Sequence, residues 1–139
     1  MYSVKISHHF DAAHFLSEYN GKCSNLHGHR WKVEVTVQSE CLSTNGNNKG
    51  MVVDFTDIKK SVEKEIEKYD HSLIVETGSL NENTIECLKR EKFKLLFVDF
   101  KTTAENFAYS IFSAIQQNGY NVKCVTVYET PNNSASYEC

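Results

Sequence analysis

Residues 29–38 alternate without a break. Trp31, Val33, Val35 and Val37 fall on one side of an extended chain, and Lys32, Glu34, Thr36 and Gln38 on the other. Successive side chains of a strand point to opposite faces, so the pattern demands a sheet with one apolar face covered and one polar face wet. Antiparallel pairing gives such a sheet; a parallel sheet buried on both sides does not. A covering layer is needed, and the sequence supplies it. Ile58, Val62, Ile66 and Tyr69 recur at helical spacing within 56–69, with Lys and Glu opposite. Ala104, Phe107, Ala108, Ile111, Phe112 and Ile115 do the same within 103–118, where Gly119 is placed to cap the end.

Further strands complete the pattern. Residues 2–14 alternate and put His8, Phe10, Ala12 and His14 on one face. Phe93 to Phe100 reads as a buried strand, 121–130 as another, and Ser134 to Glu138 as a short last one. Residues 42–50 form a turn-rich loop, and 76–92 a loop with a short helix around Thr84 to Lys89. The expectation is one domain over 1–139, of α+β class, with an antiparallel sheet carrying two main helices on one face.

Charge and cysteine usage exclude several classes. A net charge of −3 argues against a nucleic-acid partner, which is held by clustered Lys and Arg. No N-terminal run is apolar and long enough for a signal peptide or a membrane span. The five cysteines, an odd set without a CxxC pair, make a disulfide framework a poor reading. A reducing, cytoplasmic location is expected.

Histidine is concentrated instead. Five of the six lie in the first 29 residues: His8, His9, His14, His27 and His29. His27 and His29 are one residue apart, so on a strand both rings project from one face toward one ion. Gly28 between them removes a side chain and lets the backbone bend. His14, ending a neighbouring apolar strand, is the third candidate ligand. His8 shares the face of His14, and His9 points away. Three histidines with an open position is the catalytic zinc pattern, whereas four filled positions is the structural one. Cys23, four positions before His27, is either a fourth ligand or a thiol kept off the metal for chemistry.

The ordered segments FDAAH (10–14), CSNLHGH (23–29), GMVVDF (50–55), YDH (69–71), TTAEN (102–106) and VYET (127–130) resemble the 6-pyruvoyl-tetrahydropterin synthase family. That family includes the bacterial 6-carboxytetrahydropterin synthases of queuosine biosynthesis. The resemblance spans roughly residues 4 to 137. It implies a tunnelling fold, an antiparallel four-stranded sheet with two helices that closes into a barrel by trimerisation. Stacked trimers make a hexamer, with sites at subunit boundaries. It implies 7,8-dihydroneopterin triphosphate as substrate, zinc on His14, His27 and His29, and Cys23 as the catalytic thiol. The family often has proline where Thr102 stands and leucine where Tyr69 stands; neither change removes a reactive group.

The same resemblance implies further roles. His71 is a proton donor oriented by Asp70, although a histidine near a helix C-terminus is also a favourable cap. Glu129 anchors the pterin's aminopyrimidine edge, as a carboxylate anchors a guanidinium, and is coupled to proton transfer. Thr102-Thr103-Ala104-Glu105 spells a helix capping box; in the family this turn meets the pterin, which makes Thr103 and Glu105 contacts. Two products stay open. The short Cys23-to-His27 spacing and Asp54-Phe55 resemble the carboxy branch, while TTAEN leans toward the pyruvoyl branch. A zinc-stabilised binding module without catalysis is the third reading, in which metal loss would unfold the domain.

Overall fold

A computed structural model describes all residues 1–139. Strands β1 (Tyr2–His14) and β2 (His27–Ser39) are followed by α1 (Phe55–Ile66), β3 (Ser72–Glu76), α2 (Glu82–Arg90) and β4 (Leu95–Val98). Helix α3 (Ala104–Gln117) and strands β5 (Val122–Thr130) and β6 (Asn133–Glu138) complete the chain. A single 3-10 turn, Lys22–Ser24, lies between β1 and β2.

The α+β class stands, and the strand count changes. One six-stranded sheet runs in the order β4-β3-β1-β2-β5-β6. The expected four-stranded antiparallel unit is present as β1, β2, β5 and β6. Two short strands extend it, because β3 pairs parallel with both β1 and β4. Ser72-Leu73-Ile74-Val75-Glu76 gives no alternating signal because Ser72, Ile74 and Val75 are all buried, as suits a strand covered on both faces. The expected buried strand at Phe93 to Phe100 is only Leu95–Val98, and it is an edge. Phe93 and Phe97 are consequently exposed.

The alternation in β2 is confirmed residue by residue. Trp31, Val33, Val35 and Val37 join Ile6, Phe10 and Ala12 of β1 in a core closed by α1 and α3. All six apolar positions read from α3 are buried, and Gly119 ends the helix at φ +93, a conformation that glycine adopts without steric cost. Helix α1 stops at Ile66, three residues short of expectation, yet Tyr69 stays buried against Phe10 and Phe107. Asp54 is its N-cap and accepts from Thr56 N–H at 2.7 Å. The short helix expected around Thr84 to Lys89 is present as α2, longer at the N-terminal end by two residues and at the C-terminal end by one, and it buries only Ile85.

The capping box requires correction. Thr103, not Thr102, caps α3, accepting from Asn106 N–H at 3.4 Å. Glu105 therefore stands one position too early to close a box. The Thr103 N–H donates instead to the Lys101 carbonyl at 2.7 Å.

Candidate metal centre

Three histidines meet at the closed end of the β1–β2 ladder. The register runs from Tyr2 opposite Ser39 to His14 opposite His27, with Ala12 opposite His29. His14, His27 and His29 therefore occupy the helix-facing side of adjacent strands, and their ring centroids lie 4.7–5.3 Å apart. Trp31 is the floor of the cluster, edge-on to His14 and His29, and its Nε1 donates to the Ala12 carbonyl at 3.3 Å.

Two of the rings are oriented from behind. His14 Nδ1 lies 2.9 Å from the Thr102 carbonyl, and His27 Nδ1 lies 2.6 Å from the Asn25 carbonyl. A carbonyl oxygen only accepts, so each Nδ1 carries the hydrogen and each Nε2 keeps its lone pair. The Nε2 atoms of all three histidines are buried and lack a hydrogen-bond partner. Burial first, and the neighbouring His27 second, push the pKa of His14 down to about 4, so its ring is neutral at pH 7. Burial also lowers that of His29, against the raising pull of Glu129.

Glu129 joins the group, which sequence reasoning did not foresee. Strand β5 places Tyr128 opposite Lys32, so Glu129 turns inward with Val127 and Val125. Only the β2–β5 register could have revealed this, and no local pattern carries it. Glu129 Oε1 is 3.0 Å from His29 Nε2, close but not aligned as a hydrogen bond. One donor atom from each of His14, His27, His29 and Glu129 lies within 4.8 Å of the others. Imidazole nitrogens and carboxylate oxygens are zinc donors, and around a four-coordinate zinc such atoms sit about 3.3 Å apart, a modest closing of this set. The residues fit the metal.

The other candidates fall outside that cluster. Cys23 is a half-buried free thiol in the 3-10 turn and is not among the converging atoms. Its carbonyl accepts from Leu16 N–H at 2.8 Å, and the turn leads through Asn25 directly to His27. His8 is half-buried, His9 is exposed, and neither reaches the group. The backbone bend expected at Gly28 is absent. Gly28 pairs regularly with Ala13, and a Cβ there would meet the Ala12 carbonyl at an ordinary 3.5 Å.

Asp70 and His71 form a separate, exposed pair at the entry to β3. The backbone of His71 has φ +56, which turns its ring back onto its neighbour. Nδ1 lies 2.9 Å from Asp70 Oδ2. Asp70 Oδ1 accepts from Asp11 N–H at 2.9 Å, and His71 N–H donates to the Asp11 carbonyl at 2.6 Å. The Asp11 N–H first, and His71 second, hold the Asp70 carboxyl below its usual pKa. His71 shares a shallow groove with His29, bounded by Asp11, Gly28 and Arg30. Thr103 is a half-buried cap, and Glu105 is exposed in the first turn of α3.

Comparison with known proteins agrees with this architecture. The family model described as 6-pyruvoyl tetrahydropterin synthase matches residues 3–139. The 6-carboxy-5,6,7,8-tetrahydropterin synthase of Haemophilus influenzae is 34% identical over 141 residues, covering 99% of each chain. That of Rickettsia conorii is 37% identical over 136 residues, covering 88% of this chain and 90% of its own. The 6-pyruvoyl tetrahydropterin synthase structure from Caenorhabditis elegans superimposes with a TM-score of 0.70 at 25% identity, over 99% of this chain and 95% of that one. Matched almost end to end, with a tunnelling-type fold and relatives from both the carboxy and pyruvoyl branches, the chain belongs to the 6-pyruvoyl tetrahydropterin synthase family of pterin synthases.

Proposed function

We propose that this chain converts 7,8-dihydroneopterin triphosphate to 6-carboxy-5,6,7,8-tetrahydropterin, with release of acetaldehyde and triphosphate. The observation that carries a metal-dependent reading is the convergence of three unpartnered Nε2 atoms on one point. The carboxy product is favoured by relatives of that name at 34% and 37% identity, against 25% for the pyruvoyl enzyme of known structure. The short Cys23-to-His27 spacing supports the same branch. Asp54 supports it less, since capping α1 already accounts for that residue.

His14, His27 and His29 would hold the zinc ion. When bound, zinc supplies a Lewis acid that acidifies the C–H bonds beside the substrate's side-chain oxygens and serves as the electron sink for carbon–carbon cleavage. Cys23 takes a carbon-bound proton as thiolate. His71 returns one, and Asp70 holds its inner nitrogen so that the outer one is free to exchange. Glu129 accepts from the pterin's N–H groups at the rim of the cluster, and Thr103 and Glu105 meet the ring from the start of α3. His29 and Glu129 open onto a groove of about 460 Å³ that also carries Arg30, a cation suited to a triphosphate in a chain of net charge −3, while Lys32 beside it is paired with Glu34 at 2.9 Å. The exposure of His71 suits a site completed at a subunit boundary, in a trimer or hexamer.

The test is product analysis with zinc-loaded protein and 7,8-dihydroneopterin triphosphate. Acetaldehyde with a 6-carboxy pterin is the expected result. Triphosphate with a 6-pyruvoyl pterin and no acetaldehyde assigns the chain to the pyruvoyl branch. Release of neither leaves the zinc-stabilised binding module.

A further inference from the structure

The cluster histidines come from β1 and β2, yet the group that aims His14 lies 88 residues away in sequence. Thr102 precedes α3 and is only 1% exposed. It meets His14 Nδ1 twice, through its carbonyl at 2.9 Å and its Oγ1 at 3.1 Å. The hydroxyl commits its own hydrogen to the Phe15 carbonyl at 3.1 Å. Oγ1 therefore faces the imidazole with a lone pair, as the carbonyl does. A freely rotating hydroxyl could donate to Nδ1 and leave the ring hydrogen on Nε2, where a metal has to bind. The Phe15 carbonyl removes that choice. A threonine that served packing alone would be satisfied by Phe15; the second contact has no such explanation.

We propose that Thr102 is a positioning residue for metal binding, its hydroxyl locked by Phe15 so that carbonyl and hydroxyl together hold His14 as the Nδ1–H tautomer. This rests on the three-histidine reading above. The carbonyl alone would begin the brace, and the Thr102 hydroxyl adds a second acceptor to it. The gain is in the precision with which Nε2 is aimed. Groups behind a metal-bound imidazole typically change metal affinity 10–100-fold. Retention of the carbonyl in a side-chain variant puts the expected effect at the low end.

Zinc affinity is measured by competition with a chromophoric chelator, alongside nitrogen-15 spectra of the histidine rings in metal-free protein. The wild type should show His14 as the Nδ1–H tautomer, and an Nε2–H tautomer overturns the proposal whatever the variants do. Thr102→Val keeps shape and carbonyl; its affinity should fall about tenfold, and the His14 Nδ1 hydrogen should exchange faster, with Thr102→Ser back within about threefold of wild type. Thr102→Ala replaces the valine variant if the latter does not fold. A wild type that binds no zinc overturns the three-histidine reading itself. Wild-type binding matched by Thr102→Val, with unchanged Nδ1 exchange, overturns this inference alone.

Discussion

His14 and His71 each set Nδ1 against an oxygen at 2.9 Å, and the likeness ends there. For His14 the oxygen belongs to a neutral carbonyl, the ring is buried, and Nε2 points at two other imidazoles. For His71 it belongs to a carboxylate, the side chain is 78% exposed, and the outer nitrogen faces solvent. A carbonyl fixes the tautomer, and its pull toward the charged ring is outweighed by burial, which suits a metal ligand. A carboxylate supports the ring through both protonation states, which makes a proton carrier. The two roles proposed for one residue type thus follow from the charge of its partner and the depth of its ring.

The largest effect should come from breaking the buried half. His14→Ala should reduce zinc from about one per chain to near none and abolish turnover, by metal analysis and product assay. Cys23→Ala should keep the metal and lower the rate roughly 10²–10⁴-fold, the range for a lost general base; loss of zinc would make Cys23 a ligand. His71→Ala should also keep the metal, with a rate loss toward the lower end of that range. Glu129→Gln should weaken binding of a pterin analogue by roughly 1.5–3 kcal/mol with zinc retained. Zinc lost from that variant would move Glu129 to the metal.

The smallest effect concerns acid stability. Asp70 has a folded pKa below its unfolded value. Its contribution is present above the ordinary aspartate range and disappears as pH falls through the lowered folded value. Asp70→Asn should flatten the acid limb of the unfolding curve below about pH 4 and lower neutral stability by the same small amount. An acid limb as steep as wild type would show that other carboxylates set it.

The two halves also differ in how much of each was written locally. The HxH pair, the alternation of β2 and the apolar stripe of α3 are short-range patterns, and each survives intact in the structure. The three-histidine cluster was legible because His14, His27 and His29 sit on strands adjacent in sequence. Thr102 and Glu129 were not placed at the cluster, because they reach it through the β4–α3 connection and the β2–β5 register. Strand β3 was hidden by burial on both faces, whereas α2 was legible as a short helix although it has one buried residue. The Asp70–His71 contact was implied by the family resemblance alone, since adjacent side chains diverge unless the backbone turns, and φ +56 at His71 supplies that turn.

The ladder that ends in His14 opposite His27 has a consequence for folding fidelity. Strand side chains alternate with period two, so a slip of one residue along β2 would carry His27 and His29 to the wet face while His14 stayed inside. The same slip would expose Trp31, Val33, Val35 and Val37, so hydrophobic burial and the proposed metal coordination would proofread the same alignment from opposite ends of the strand. An ion bound by all three histidines stabilises only the correctly registered chain, and zinc uptake during refolding would therefore report the moment at which β1 and β2 have found their final partners.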